Sequence, residues 1–305
     1  MSWRVGVLIL FALLLAGCGS SRPRPSHGGT RAAPRTEGSH GGGFRDDISR
    51  SQGSRYRDND DSVPPPIDVS TIPEPVPKIE SRSLYGNKSP YTVLGQTYRV
   101  LSDAHGYDER GIASFYGAKF HGYKTSSLEN YDMYAFSAAH KTLPLPSYAR
   151  VTNLANGKSV IVRINDRGPF HENRLIDLSY AAAVKIGVWP KGTGLVEVRA
   201  IDPAHPDDGT PPAAELGAHA AVPQGSALPA IFLQVGAFAD LANADRVARQ
   251  LRSARLAPVQ VSDTRVNGRS IRRVRLGPLQ DVEQADQVAT QIERLGLPRP
   301  QVAVD

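Results

Sequence analysis

The chain holds a single cysteine in 305 residues, and that scarcity excludes a good deal. With Cys18 alone no internal disulfide can form, and no thiol nucleophile is available to anything downstream of it. Two further absences narrow the chemistry. No His-Glu-x-x-His spacing offers a metal pair, although His121 and His171 lie in polar stretches, and no Gly-x-Ser-x-Gly elbow presents a serine nucleophile. No metal or other cofactor is therefore expected. A bilayer-spanning helix needs ~20 apolar residues, and the run from Val5 to Ala16 stops well short of that.

What is present begins with an address. Arg4, the short apolar run and the small residues after it describe a secretory signal over residues 1–17. Leu15-Ala16-Gly17-Cys18 resembles a bacterial lipobox, which implies that Cys18 becomes a lipid-carrying N-terminus; this gives a partnerless exported thiol a use. Gly19 follows, where an aspartate typically marks inner-membrane retention, so anchoring in the outer membrane, facing the periplasm, is expected. Residues 18–82 are rich in Ser, Gly, Arg, Pro and Asp and are expected to form a disordered tether, stiffened at Pro64–Pro66 and Pro73–Pro77. A second linker, 203–227, separates two regions able to fold, 83–202 and 228–305. The net charge of +6 favours anionic partners. Export excludes nucleic acid and leaves the acidic cell-wall polymer and the membrane surface.

In the first region Gly111–Tyr116 alternates like a half-buried strand. Tyr148–Leu154 and Ser159–Ile164 flank Asn156-Gly157, a hairpin signal, since a tight primed turn needs positive φ. Leu175–Leu178 reads as a short strand, and Ser179–Ile186 as a helix with Ser179 or Asp177 as N-cap and Gly187 as its stop; Gly194–Ile201 is a last strand. Short strands, tight turns and one small helix predict a small closed barrel. Among these signals stand Glu129, His140 and Asp166, at breaks in the pattern where side chains face ligands.

The segments Gly-Ile-Ala-Ser-Phe-Tyr-Gly from Gly111, Ala-Ala-His-Lys-Thr-Leu-Pro from Ala138, Asn-Asp-Arg-Gly-Pro-Phe from Asn165 and Leu-Ile-Asp-Leu-Ser-Tyr from Leu175 together resemble the rare lipoprotein A family. The likeness runs from about Ser89 to Ile201. It implies a six-stranded double-psi β-barrel and a lytic transglycosylase, a carbon–oxygen lyase acting on peptidoglycan at the septal ring. Glycosidic cleavage needs a proton on the leaving oxygen and support for an oxocarbenium-like carbon. In this reaction the sugar's own C6 hydroxyl closes an anhydro ring, so one carboxyl can act first as acid and then as base. Asp166 is the residue expected to do so, and the resemblance also places an essential Asp there. Glu129 and His140 match the family's Glu and His, with His140 either orienting a carboxylate or donating to the sugar. Asn165, Arg167 and Asp177 are expected saccharide or supporting contacts. The loop Thr125-Ser126-Ser127-Leu128-Glu129 departs from the family's Thr-Ala-Asn-Gly-Glu, so Leu128 stands where a glycine tolerates positive φ.

The second region reads β-α-β-β-α-β: Ile231–Phe238, Asp240–Ala254, Ala257–Ser262, Ser270–Leu276, Asp281–Leu295 and Gln301–Val304, with a turn at Asn267-Gly268. The pattern predicts an α+β fold of ferredoxin or RNP type, an antiparallel sheet backed by two helices. An RNA-binding sheet of that topology would need an aromatic pair to stack bases, which is missing. Leu233-Gln-Val-Gly-Ala-Phe238 with Arg275-Leu-Gly-Pro-Leu279 resembles the SPOR domain, which binds glycan strands stripped of stem peptides at the division site. Gln234, Phe238 and Arg275 are the expected glycan contacts, with Gln234 and Gly236 on one face and Val235 and Ala237 toward the helices. Two functions fit: an endolytic transglycosylase cleaving the MurNAc-GlcNAc β-1,4 bond of denuded strands during daughter-cell separation, or a non-catalytic peptidoglycan-binding scaffold at the division site with divisome partners.

Overall fold

The computed structural model describes residue 64 and residues 66–171, 173–204, 229–266 and 268–304. The expected signal segment 1–17, the lipidation site Cys18, Asn267 and all of the linker beyond Ala204 lie outside the described residues.

A two-stranded ribbon, β1 (Tyr91–Val93) and β2 (Gln96–Tyr98), precedes six strands that close into a barrel. These are β3 (Asp108–Tyr116), β4 (Ser137–His140), β5 (Ser147–Asn153), β6 (Ser159–Asp166), β7 (Ile176–Ser179) and, after the helix α1 (Tyr180–Ile186), β8 (Gly194–Ile201). Around the barrel the order is β3-β7-β4-β6-β5-β8, with β3/β7 and β4/β6 parallel and the other neighbours antiparallel. Alternation fills the interior: Ala138, Val162, Ile164, Ile176, Leu178, Val196 and Val198 are fully buried in one apolar cluster. Burying each large aliphatic side chain is worth ~1.5–3 kcal/mol, which is what holds so many short strands closed.

Three local outcomes matter for the site. Of the two candidate N-caps, Ser179 accepts the Ala182 N–H at 3.3 Å, which leaves the Asp177 carboxyl for other work. Ser137–His140 is a strand of four buried residues that carries too little pattern to be read from sequence. The third outcome corrects the expected tether boundary. Residues 66–82 do not belong to a free tether: Ile67, Val69 and Ile72 pack on the barrel core, Glu74 accepts the Ile161 N–H at 3.1 Å, and Glu80 pairs with Arg163 at 3.0 Å. Scattered apolar residues between prolines escape a composition argument, yet each finds a place on a surface already built.

The C-terminal fold comprises β9 (Ile231–Phe238), α2 (Leu241–Ala254), β10 (Val259–Val266), β11 (Arg269–Leu279), α3 (Val282–Arg294) and β12 (Gln301–Val304). The antiparallel sheet runs β10-β11-β9-β12. Asp240 caps α2 through the Ala242 N–H at 2.8 Å, and Asp281 caps α3 through Gln284 at 2.8 Å. Leu233, Val235, Leu251, Leu276 and Ile292 form the core between sheet and helices. The expected placement of Ala237 toward the helices is not met, because Ala237 is exposed. Val274 pairs with Gly236 and Arg275 with Gln234, so Val235 is an extra residue on β9, and such a bulge breaks the alternation beyond it.

Candidate active site

One register row organises the barrel site. Ser114 on β3 pairs with Asp177 on β7, Asp177 with Ala139 on β4, and Ala139 with Asp166 on β6. Residues in register share a face, so the two carboxylates flank a methyl side chain across four adjacent strands. Ala138 pairs with Ile164, and the next pair is Ala139 with Asp166, so Asn165 is the bulged residue. The bulge turns Asp166 off the inward face of Ile164 and onto that of Ala139. Gly168 follows with φ 144°, a backbone conformation open to glycine, and carries the chain away beneath the row. Asp166, Ala139 and Asp177 line a cavity of about 290 Å³, edged by Tyr116, Phe120, Phe170 and Lys124.

Asp166 Oδ1 accepts three hydrogen bonds: from Ser126 N–H at 2.7 Å, Ser126 Oγ at 2.7 Å and Arg167 N–H at 2.8 Å. Burial pushes its pKa up and these donors pull it down, with a net rise. The Ser126 donors come from a turn in which the Leu128 N–H bonds Thr125 O at 2.9 Å and the Thr125 N–H bonds Glu129 O at 2.8 Å. Leu128 takes φ 65°, the left-handed conformation. The turn thus holds a leucine in a conformation open to glycine, at a strain cost of ~1–2 kcal/mol. Leu128→Gly is expected to stabilise the protein by about 0.5–1 kcal/mol in urea unfolding. A loss of stability would mean that the leucine's packing outweighs the strain.

Glu129 sits at the far end of the same turn and faces away from Asp166. Its Oε2 accepts from Arg163 at 2.5 Å and Asn165 at 2.9 Å, and it lines a separate cavity with Ile72 and Pro75. Arg163 divides its guanidinium between Glu129 and Glu80. Burial works to raise the Glu129 pKa, but the Arg163 and Asn165 hydrogen bonds outweigh it and hold the carboxyl below its usual range. Glu129 is thus an anion across the working pH, suited to accepting hydrogen bonds and not to delivering a proton.

His140 pairs with Ile176 on the opposite face from Ala139, and its ring is 2 % exposed. Nδ1 accepts the Thr142 and Leu143 N–H groups at 3.2 and 3.0 Å, so the proton sits on Nε2, which meets Tyr107 Oη at 2.9 Å. Burial, with help from Arg167 and Lys141, lowers the ring's pKa to about 3. The structure therefore places the imidazole outside the carboxylate cavity, as a neutral group fixing the 140–143 turn. Its Cε1 proton resonance is expected to hold the neutral shift down to about pH 4. The folded ring stays neutral while the unfolded one takes a proton below ~6.5. His140's contribution to stability is therefore complete above that pH and drains as pH falls toward about 3. An NMR midpoint near 6.5 would contradict the assignment.

Arg167 does not ion-pair with Asp166. Its buried guanidinium donates to Gly86 O at 2.7 Å, Asn87 Oδ1 at 3.1 Å, His140 O at 3.1 Å and Leu143 O at 2.5 Å. It thereby ties the N-terminal segment and the 140–143 turn to the base of Asp166. Of the aromatics, Phe115 packs edge-on against Trp189 and serves the fold, Tyr116 stacks on Tyr131 at 4.0 Å while also edging the cavity, and Phe120 and Phe170 reach its rim. Among the described residues no group of three His, Cys, Asp or Glu is placed to hold a metal ion.

On the C-terminal sheet a second register row joins Gln260, Arg275, Gln234 and Gln301, one from each strand. The adjacent row, Val259, Leu276, Leu233 and Val302, belongs to the helix-side core. The polar row accordingly lies on the face away from the helices. Gln234 and Arg275 come together as the sequence suggested, and Gln260 and Gln301 were missed because strand register is not written in any local motif. Phe238 lies elsewhere: its ring covers Gly236, where an added Cβ would come within 2.5 Å of it, and it packs against the helix-side core.

The family described as "Lytic transglycolase" matches residues 108–200, and that described as "SPOR domain" matches residues 229–302. "Endolytic peptidoglycan transglycosylase RlpA" of Pseudomonas aeruginosa strain UCBPP-PA14 is 42% identical over 279 residues, spanning 77% of this chain and 81% of the relative. The protein of the same name from Vibrio cholerae is 53% identical over 152 residues, 50% of this chain and 57% of that one. Among solved structures, the RlpA SPOR domain from Pseudomonas aeruginosa is 32% identical and covers 24% of this chain and 96% of its own, with a TM-score of 0.23.

Proposed function

Because the chain belongs to the RlpA family of endolytic peptidoglycan transglycosylases, we propose that the Asp166 cavity is where it opens the glycan backbone. The observation that carries this reading is the row that sets Asp166 beside Ala139, half-buried, hydrogen-bonded through one oxygen and open to the cavity. The bond cut is the β-1,4 link between MurNAc and GlcNAc, and the C6 hydroxyl of MurNAc attacks its own C1 to leave a 1,6-anhydro end. No water is consumed, so the site needs carboxyl chemistry to serve the protons of the two sugar oxygens. Asp166 takes part in it. Glu129, held ionised by Arg163 and Asn165, offers a fixed negative charge and acceptor oxygens on the neighbouring surface.

The C-terminal sheet binds peptidoglycan. Its polar row of Gln260, Arg275, Gln234 and Gln301 supplies donors and acceptors at the spacing of four strands, a suitable bed for a sugar chain lacking stem peptides. A lipid on Cys18 would tether both units to the outer membrane on its periplasmic side, concentrated at the septum with division proteins. Full-length protein in detergent, incubated with amidase-stripped sacculi, should release fragments ending in 1,6-anhydroMurNAc, identified by mass spectrometry. Reducing ends would mean hydrolysis. Retention on the sacculi with no soluble product would support the scaffold function instead.

A further inference from the structure

We propose that Asp177 is the second catalytic carboxyl of the cavity, the group that protonates the leaving glycosidic oxygen while Asp166 takes the proton of the attacking hydroxyl. This division of labour rests on the lyase reading of the cavity. Asp177 and Asp166 both pair with Ala139, from opposite sides. Their Cα atoms are therefore two strand spacings apart, about 9.5 Å at the usual inter-strand distance. Between them the floor is a single methyl group, so a sugar ring can settle over Ala139 with a carboxyl at each flank. Both acids line the same cavity.

Their hydrogen bonds separate their roles. Asp166 Oδ1 accepts two N–H groups and a hydroxyl, an arrangement that favours the anion. Among the described residues, Asp177 Oδ1 accepts from the Ser114 hydroxyl alone, and its Oδ2 lies toward Gly168 on the cavity side. The charged groups around Asp177 are Asp166, Arg174, Lys141 and, at the rim, Lys124 and Arg167. Neither near cation is spent on it: Lys141 Nζ donates to Arg174 O at 2.7 Å, and Arg174 pairs with Asp286 at 2.7 Å. Burial and the Asp166 charge raise the Asp177 pKa more than Ser114, Arg174 and Lys141 lower it. When two carboxylates share a cavity one holds the proton, and here it is Asp177, whose anion has the Ser114 hydroxyl where that of Asp166 has three donors.

The step balances without water or an oxidant. The Asp177 O–H proton passes to the GlcNAc O4 as the C1–O4 bond breaks. The MurNAc O6 forms a bond to C1, and its proton passes to the Asp166 carboxylate. One acid is consumed and one formed, and a proton returned from Asp166 to Asp177 restores the pair.

The test compares two substrates. On denuded glycan, Asp177→Asn should lower kcat by about 10²-fold and abolish the alkaline limb of the pH profile, which reports the acid. On a MurNAc-containing disaccharide carrying a 2,4-dinitrophenyl leaving group, which departs without a proton, Asp177→Asn should keep a rate within a few fold of the wild type, whereas Asp166→Asn should not. Ser114→Ala retains the carboxyl and loses only its donor, so it should move the alkaline limb to higher pH. Equal losses of Asp177→Asn on both substrates, or no loss on either, would overturn the assignment, as would an unmoved limb in Ser114→Ala. A wild-type protein that makes no anhydro ends would instead sink the lyase reading itself.

Discussion

Replacing Asp166 by asparagine should lower kcat on denuded glycan by about 10³-fold with little change in KM. The amide oxygen can still accept the Ser126 and Arg167 hydrogen bonds that hold the carboxylate, so the turn and the cavity stay in place. What the amide cannot do is take up and return a proton near neutral pH. The measurement is the rate of anhydro-end formation, with the thermal unfolding midpoint as the check on fold. A loss smaller than tenfold would remove Asp166 from the chemistry and return the question to Glu129.

Arg167→Ala should be the most destabilising single change near the site, at about 3–5 kcal/mol in urea unfolding. The residue is 8 % exposed, and its guanidinium satisfies the carbonyls of Gly86, His140 and Leu143 together with the Asn87 side chain. Each buried carbonyl left without a donor costs ~1–3 kcal/mol, which makes removal far worse than the loss of one exposed ion pair. Burial lowers the Arg167 pKa to about 10, still well above the working pH, so the side chain remains a cation and all its donors are available. Arg167→Lys should recover little, because one ammonium cannot fan out to four acceptors in a plane. A stability change below about 1 kcal/mol would show that water can replace the guanidinium.

Much of this was readable from residue order alone. Alternation at Gly111–Tyr116, the Asn156-Gly157 hairpin signal and two short apolar runs found five of the barrel strands, and Gln-x-Gly-x-Phe with Arg-x-Gly-Pro announced the C-terminal unit. The sequence suggested one site of Glu129, His140 and Asp166, and their separation was not readable, because it depends on which face each residue takes. Asp166 changes face at a bulge on Asn165, while His140 follows Ala139 on a strand of four residues and so points to the other side. Asp177 stood in the Leu-Ile-Asp-Leu stretch as an alternate-face residue of a strand, but only the pairing with Ala139 reveals what lies opposite it. Motifs report chemistry along the chain, whereas a site is assembled across it.

The segment from Glu74 to Asn87 bears on how this barrel can be cut and carried. It precedes the 108–200 stretch by which the family is recognised, yet Glu80 holds Arg163, and Gly86 and Asn87 hold Arg167. Arg163 on the strand that ends at Asp166, and Arg167 just after it, thus have partners that a domain trimmed to its recognisable limits would leave behind. The portable unit of this enzyme begins where its wrapping begins, at Ile67, about forty residues upstream of its first barrel strand.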